Sequence, residues 1–316
     1  MKIALKIDVD TYRGTRIGVP RLTQILKARN AGASFLFSLG PDHTGRAVTR
    51  VFRSGFLGKV RRTSVVKHYG IRTLLYGTLL PGPDIGRKCA PILRDVRDAG
   101  FEVGIHTWDH VLWQDKVALA DAQWTREQMD FACSRFLEIF GEPAAIHGAA
   151  GWQMNAEAYR LTQSLGFRFC SDTRGSGPFI PVSEGERIDC PQLPTTLPTL
   201  DEMIGREGVD ESNVAEHILE LTRSEKPTGH VFTLHAELEG MGLAAVFERL
   251  LDGWRSQGHE LVSLGAYLES LASIDLPRHE VIMGEMPGRT GLLAMQGGVA
   301  GPTTRKNESA HPQPAL

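Results

Sequence analysis

The stretch KIALKIDVD, residues 2–10, decides the predicted fold, because it joins a buried strand to two acidic residues. Residues 2–9 are largely apolar, which is typical of a strand that is covered on both faces. Similar segments follow at residues 33–39, 102–106, 144–149, 167–171, 230–235 and 260–264. We therefore predict a buried sheet of seven strands.

Amphipathic segments of helical length separate these strands. The first begins at Pro20, a residue favoured at the start of a helix, and runs to about residue 29. Further helices are predicted at residues 84–99, 121–140, 155–165, 212–223, 242–256 and 266–272. Strands that alternate with helices indicate parallel βαβ units. The predicted fold is therefore α/β, a distorted (β/α)7 barrel over residues 1–275.

The terminal segments and the composition of the chain predict in which compartment the protein acts and which partners it does not bind. Residues 276–296 form a C-terminal extension, and residues 297–316, rich in proline, glycine, serine and threonine, predict a disordered tail. Asp8 and Asp10 come before the apolar core of a signal peptide could form, so we expect no signal peptide. The net charge of −2 argues against a general nucleic-acid-binding protein. Four well-separated cysteines suit a reduced, cytoplasmic setting.

Acidic residues end the first predicted strand. In a barrel of parallel strands the chemistry lies at the carboxyl ends of the strands. Asp8 and Asp10 are two residues apart, so on a strand they face the same side. Two carboxylates this close repel each other unless a cation or a proton lies between them. The alternative is a pair of aspartates that caps a loop.

The segment HTWDH, residues 106–110, ends the third predicted strand. Its histidines are four residues apart, and on a helical turn they would share one face and could bind one ion. Neutral imidazole suits zinc and neighbouring transition metals, although such a pair can also consist of surface or packed histidines. Two histidines and one carboxylate would leave positions open for water and substrate.

His235 ends another apolar strand, at residues 230–235. Such a histidine is either a hydrogen-bonded core residue or a general acid, and a metal site nearby favours the acid. The other histidines, His43 and His147 among them, have no such neighbours in the sequence and are interpreted as ordinary.

Residues 43–83 form a basic insertion, predicted to be helical, that lacks aspartate and glutamate. Basic, apolar and aromatic side chains alternate along it, a mixture that suits an anionic membrane surface. The alternative is a solvated basic face on a helix. The residues expected to contact lipid are Arg53, Lys59, Arg61 and Arg62.

Taken together, these motifs resemble the five motifs of the polysaccharide-deacetylase superfamily, the NodB-homology proteins of carbohydrate esterase family 4. The resemblance is carried by DVD at 8–10, HTWDH at 106–110, GAAGW at 148–152, SDTRG at 171–175 and TLH at 233–235. Most members have adjacent aspartates in the first motif and an arginine in the third, and this chain has neither. Longer stretches between residues 2 and 291, such as KIDVDTYRGTRIGVPRL and LPTTLPTLDEMIGR, closely resemble one branch, the deformylases of a lipid-linked formamido-arabinose in lipid A modification.

The resemblance implies a metal-dependent hydrolase of an amide bond. It assigns Asp10, His106 and His110 to a divalent metal ion (zinc, cobalt or manganese), Asp8 to the role of base, and His235 to protonation of the leaving amine. The implied substrate is a sugar on a polyprenyl phosphate, met at the inner face of the cytoplasmic membrane by a peripheral protein.

Further residues in the quoted stretches or close to them are expected to contact the substrate. They are Arg13, Trp152, Asp172, Arg174 and Glu237. Two other functions stay open: a deacetylase of another N-acylated sugar in the same superfamily, and a non-catalytic scaffold at the membrane.

Overall fold

The computed structural model describes residues 1–47 and 71–301. Its centre is a sheet of seven strands in which every neighbouring pair is parallel, so the predicted α/β architecture is confirmed. The strands are β1 (Lys2–Val9), β2 (Ser34–Ser38), β3 (Glu102–Thr107), β4 (Ile146–His147), β5 (Phe169–Cys170), β8 (His230–His235) and β9 (Glu260–Val262).

Strand β1 lies inside this sheet. The strand order is β5-β4-β3-β2-β1-β8, and β9 pairs with the beginning of β1. Residues 191–197 run between the outer strands: the backbone N–H of Leu193 donates to Cys170 at 2.7 Å, and that of Thr196 donates to Val231 at 3.0 Å. This segment covers the exposed backbone of β5 and β8, which a half-barrel would otherwise leave unpaired.

Nine α-helices lie wholly within the described residues. Seven match predicted helices to within three residues at each end, whereas the short helices at residues 110–116 and 200–203 were not predicted. Several begin at a side chain that accepts a backbone N–H, such as Asp84, Asp121 and Asn155, which explains why their starts were predictable. The helices are α1 (Val19–Ala28), α2 (Ile85–Asp98), α3 (His110–Lys116), α4 (Ala122–Phe140), α5 (Ala156–Ser164), α6 (Leu200–Met203), α7 (Val214–Leu221), α8 (Ala244–Ser256) and α9 (Leu264–Glu269).

The interior of the half-barrel changes character along β1. Ala4 belongs to a small buried apolar cluster to which several strands each contribute a residue. Leu36, Ile146 and Phe169 are among the members of this cluster. Alternate residues of a strand share a face, so Lys6 and Asp8 follow Ala4 on the same side. Both are buried. The interior is therefore apolar at the start of β1 and charged at its carboxyl end.

A second sheet, absent from the sequence prediction, packs beside the first. Its strands, in the order β11-β10-β6-β7, are β6 (Ile180–Ser183), β7 (Glu186–Arg187), β10 (Arg278–Glu285) and β11 (Leu292–Val299). The extension predicted at residues 276–296 is thus a β-hairpin. Strand β11 continues to Val299 and so includes the first three residues of the predicted tail, whereas residues 302–316 lie outside the described residues.

The basic insertion is described only at its two ends. Residues 44–47 are helical and Thr73–Leu75 form a 3₁₀ turn. The four residues expected to contact lipid, Arg53, Lys59, Arg61 and Arg62, lie outside the described residues. Across residues 1–47 and 71–301, none of the helices combines the length and the apolar character needed to cross a membrane.

Candidate metal centre

A cavity of about 210 Å³ opens at the carboxyl ends of β1, β3 and β8. The structure brings together on its wall the five residues to which the sequence analysis gave catalytic or metal-binding roles: Asp8, Asp10, His106, His110 and His235. These residues come from three strand ends and one helix start, so the parallel sheet alone places them together.

Three of these residues point ligand atoms at one another. The Oδ1 atom of Asp10 lies 3.2 Å from Nε2 of His106 and 3.5 Å from Nε2 of His110. The three atoms lie within 4.8 Å of one another, which is close enough for them to share one ion.

The histidine pair does not have the predicted geometry. His106 lies in β3, whereas His110 is the first residue of α3, which Asp109 caps by accepting the N–H of Leu112. The two residues therefore span a strand-to-helix junction instead of one helical turn. Asp109 also accepts a hydrogen bond from His43, at 2.5 Å, so His43 supports this junction and is not an isolated residue.

The orientation of His106 favours metal binding. Its Nδ1 atom is 2.6 Å from the carbonyl oxygen of Gly148, which can only accept a hydrogen bond. Nδ1 therefore carries a proton, and Nε2 is the nitrogen available to a metal, as in most histidine ligands that donate their second N–H to a carbonyl.

The charges of the cluster are strongly coupled. Burial tends to raise the pKa of Asp10, but His110 and His106 outweigh it and hold that pKa well below its ordinary value. Burial tends to lower the pKa of His106, but Asp8 and Asp10 outweigh it and raise that pKa. The pKa of His110 is lowered, mainly by burial. Carboxylate charge is therefore favoured at Asp10, and protons compete with a metal more strongly for His106 than for His110.

The donor set fits a divalent transition metal ion. Oδ1 of Asp10 and Oδ1 of Asp8 are both buried and lack a hydrogen-bond partner among the described residues. Buried polar atoms without partners are rare, and an ion beside them would account for both. Two imidazoles with one carboxylate are ligands that suit zinc and its neighbours and leave further positions open.

His235 stands on the same wall at the end of β8, in register with Asp8. Its backbone N–H donates to Glu239 at 2.8 Å, while its Nδ1 atom is buried and has no hydrogen-bond partner within the described residues. Burial raises the pKa of Glu239 to about 7, and the nearby His235 reduces that shift. The hydrogen bond to Glu239 thus fixes the backbone of His235, and the imidazole ring remains available to a ligand in the cavity.

Other residues on the cavity wall were not singled out in the sequence. Asp201 is carried by α6, and Arg289 by the turn between β10 and β11. They join each other through an ion pair of 3.2 Å. Asp201 lies in the quoted stretch LPTTLPTLDEMIGR, which was a signal that could have found it. The remaining additional lining residues are Gln114, Gly151 and Leu238.

Trp152 occupies a strained position on this wall. Gly151 and Trp152 both have left-handed backbones, with φ angles of 60° and 52°. That conformation is costly for a tryptophan and is typical of functional sites. Three cations surround the indole ring: Arg289 lies 4.8 Å from its centroid, Arg174 5.1 Å and Lys6 5.4 Å. Trp152 thus lines the cavity, as a substrate contact would.

Arg174 is placed away from the cavity. It is buried, and it pairs with Glu202 at 3.2 Å and with the carbonyl oxygen of Leu197 at 3.1 Å. Arg13 is half-buried beside the turn that follows β1 and does not line the cavity. Any contact of Arg174 or Arg13 with substrate would therefore be indirect in this structure.

Glu237 holds the turn after Asp10. Its Oε1 atom accepts hydrogen bonds from the backbone of Asp10 at 3.2 Å and from the backbone of Thr11 at 2.9 Å. Burial and the charge of Asp10 raise the pKa of Glu237 well above its ordinary value. A side chain on Gly14 would collide with this carboxyl group, which explains the glycine. Glu237 therefore fixes the position of Asp10 by binding the backbone N–H groups of Asp10 and Thr11.

Asp172 belongs to a second, closed cluster. It is fully buried, and it accepts hydrogen bonds from His147, from the backbone of Ala149 and from Gln192, each at 2.8 Å. Cys170 completes a set of three possible ligand atoms within 4.8 Å. His147, interpreted as ordinary in the sequence, is thus part of a buried network, and the structure does not place Asp172 on the cavity wall.

Comparison with known proteins gives a consistent result. Over 296 residues the chain is 39% identical to the probable 4-deoxy-4-formamido-L-arabinose-phosphoundecaprenol deformylase of Shewanella sediminis, with 93% of this chain and 94% of that protein covered. It is 30% identical over 285 residues to the protein of the same name from Wigglesworthia glossinidia brevipalpis, with 90% and 98% covered. No family model matches the chain.

The fold also matches a solved structure. A polysaccharide deacetylase of Mycobacterium smegmatis superposes with a TM-score of 0.59 and covers 90% of this chain and 95% of its own. At 15% identity this likeness concerns the fold alone, and it confirms the deacetylase-type barrel predicted from the motifs.

Proposed function

The chain belongs to the 4-deoxy-4-formamido-L-arabinose-phosphoundecaprenol deformylase family, and from this premise we propose its reaction and its substrate. It hydrolyses the formamide of 4-deoxy-4-formamido-L-arabinose carried on undecaprenyl phosphate. Water adds to the formyl carbon and the C–N bond breaks. Formate is released, and the 4-amino-4-deoxy sugar stays attached to the lipid. The proposed role is in lipid A modification and resistance to polymyxin.

One observation carries this proposal. The ligand atoms of Asp10, His106 and His110 converge on the wall of a cavity that also contains Asp8 and His235. Asp10, His106 and His110 would hold zinc, cobalt or manganese. A divalent ion bound there would polarise the formyl oxygen and lower the pKa of a water molecule.

The protein's own residues move the protons. Oδ1 of Asp8 has no hydrogen-bond partner among residues 1–47 and 71–301, and Asp8 is placed to accept a proton from the attacking water. His235, in register with Asp8 on the neighbouring strand and with its Nδ1 unpartnered among the described residues, is placed to give a proton to the sugar nitrogen as the C–N bond breaks. Without that proton the leaving group would be an unstable amide anion.

The test is a mass measurement on the lipid-linked sugar with metal-loaded protein. We expect loss of the formyl group and release of an equal amount of formate. Asp8→Asn and His235→Ala should retain metal and lose roughly 10²–10⁴-fold in turnover, the usual contribution of a general base or acid. A folded, metal-loaded wild-type protein that leaves the formamido lipid intact would disprove the assignment, and turnover of an acetamido analogue alone would identify a deacetylase.

We further propose that the insertion, residues 43–83, docks the protein on the inner face of the cytoplasmic membrane. At its described end, Ile71 and Leu79 are 70% and 80% exposed, and Arg72 beside them is also exposed. Apolar side chains next to basic ones suit an anionic lipid surface. The insertion begins shortly after the carboxyl end of β2, so its described residues, 43–47 and 71–83, connect to the end of the sheet at which the cavity opens.

Vesicle binding tests this docking. Reversal of Arg61 and Arg62 to Glu should weaken binding to phosphatidylglycerol vesicles, since each basic group near such a surface contributes about 1 kcal/mol. The matched control reverses Arg223 and Arg255, which are exposed near the C-terminal ends of α7 and α8, at the opposite end of the sheet. Equal binding by the two folded double variants would refute docking through the insertion.

A further inference from the structure

Lys6 carries a buried charge, and the proposed reaction assigns no role to this residue. It lies in the interior of the half-barrel, none of its surface is exposed, and it stands two residues before Asp8 on the same face of β1. Burying an ammonium group is costly unless partners compensate it. Its partners therefore indicate what the charge is for.

The ammonium group has three neighbours. Nζ lies 3.2 Å from Oδ2 of Asp8 and donates to the carbonyl oxygen of Ser171 at 3.0 Å. The ring of Trp152 is the third, at 5.4 Å. Because Ser171 follows β5, the side chain of Lys6 reaches across the interior of the half-barrel and is anchored at its far end. Lys6 is thus fixed from two sides before it meets Asp8.

The contact divides the two oxygens of Asp8 between different tasks. Oδ2 is held by Lys6, whereas Oδ1 has no hydrogen-bond partner among the described residues and lies 3.7 Å from Nδ1 of His106. Lys6 also adds a positive charge where Asp8 and Asp10 would otherwise repel each other. The segment that matches the third motif, residues 148–152, contains no basic residue that could do this.

We infer that Lys6 is the positioning residue of the catalytic base: it holds Oδ2 of Asp8 so that Oδ1 faces the substrate cavity. The inference rests on the proposed role of Asp8. Lys6 itself does not touch the substrate, since it is enclosed by Asp8, Ser171 and Trp152.

A mutant cycle between Lys6 and Asp8 tests the inference. Lys6→Met should lower kcat for deformylation by roughly 10–100-fold, the usual effect of losing a residue that orients a site, with little change in KM and with metal retained. Lys6→Arg, which keeps the charge, should recover most of the loss. In single-turnover assays the Lys6→Met/Asp8→Asn double variant should be no slower than Asp8→Asn, because the lysine acts only through that carboxylate.

Thermal unfolding supplies a readout that is independent of turnover. Each single variant leaves one buried charge without its partner and should lower Tm, whereas the double variant should recover part of the loss. Lys2→Met serves as the matched control: Lys2 is on the same strand face at the opposite end of β1, in an exposed pair with Glu260. It should leave kcat unchanged.

The outcomes separate this inference from the proposed function. A wild-type protein without deformylase activity would disprove the function, whereas the Tm cycle would still measure the ion pair. An active wild type with unchanged kcat in Lys6→Met would refute the positioning role, as would losses that multiply in the double variant. If Lys6→Met does not fold, Lys6→Gln takes its place, and equal kcat in Lys6→Gln and Lys6→Arg would refute the role.

Discussion

Two clusters of possible metal ligands lie at the carboxyl ends of neighbouring strands, and they differ in how their polar atoms are satisfied. The open cluster is Asp10, His106 and His110, and the closed cluster is His147, Cys170 and Asp172. In each, three ligand atoms lie within 4.8 Å of one another. By spacing alone the two would be equally good metal sites.

Hydrogen bonding distinguishes them. In the closed cluster both oxygens of Asp172 accept hydrogen bonds, one of them from His147. In the open cluster Oδ1 of Asp10 has no hydrogen-bond partner in the described part of the chain, and Asp10 lines a cavity. Most buried polar groups in proteins are paired, so the unpaired atom marks the place where a ligand is expected. Ligand geometry is therefore informative only together with an account of what already satisfies the ligands.

The largest difference that we expect between the two clusters is in how a substitution in each affects metal content and turnover. In His106→Asn the amide N–H can replace the bond from Nδ1 to Gly148, while the ligand atom Nε2 is lost. We expect this variant to lose its metal and to fall to background turnover. His147→Asn, the same change in the closed cluster, keeps a donor for Asp172 and should retain metal and turnover.

Elemental analysis and formate release on the two purified variants make this comparison. Each value is taken per folded molecule, so that a loss of stability in His147→Asn does not count as a loss of metal. Loss of metal from His147→Asn with retention in His106→Asn would reverse the assignment of the two clusters.

The same contrast shows what could be predicted from the sequence. Asp8 and Asp10 were predictable because the two-residue period of a strand fixes their common face, and the strand order then places His235 beside them. The partner of Asp172 was not predictable, since His147 meets it only through the parallel pairing of β4 with β5. The role of Lys6 was hidden for the same reason: Ser171, its anchor, follows β5, which is distant in the sequence.

The C-terminal hairpin was missed on different grounds. Strands β10 and β11 are largely half-exposed or exposed, so they lack the apolar run that identified the barrel strands. Arg289 reaches the cavity wall only because this hairpin folds back over the barrel. A residue that arrives by such a long-range contact leaves no local pattern in the sequence.

A smaller effect is expected on stability when the closed cluster is opened. Asp172→Ala leaves His147, the N–H of Ala149 and Gln192 without an acceptor, so the free energy of unfolding should fall by about 3–5 kcal/mol. Despite burial, His147 holds the pKa of Asp172 below its ordinary value of 3.8. The stabilisation is thus present above pH 3.8, and the difference from wild type should shrink as the pH falls below it.

Urea unfolding of the metal-free proteins measures this effect. Asp10→Ala is the matched change in the open cluster. It should cost less, because Oδ1 of Asp10 accepts no hydrogen bond from the described residues and only its charge interactions with His106 and His110 are lost. If Asp10→Ala were the more destabilising of the two, hydrogen bonding would not be what separates the clusters.

The smallest expected effect concerns Cys170, the third member of the closed cluster. Cys170 is fully buried, and its sulfur lies 3.6 Å from that of Cys190. Cys170→Ser places a hydroxyl in this apolar setting and should cost about 1–3 kcal/mol of unfolding free energy. Because the closed cluster is satisfied without an ion, metal content and turnover should equal those of wild type. Cys133→Ser, at a half-buried thiol of α4, is the control and should cost less. A drop in bound metal in Cys170→Ser alone would show that the closed cluster holds an ion, and its hydrogen bonds would then not be a sign of a purely structural role.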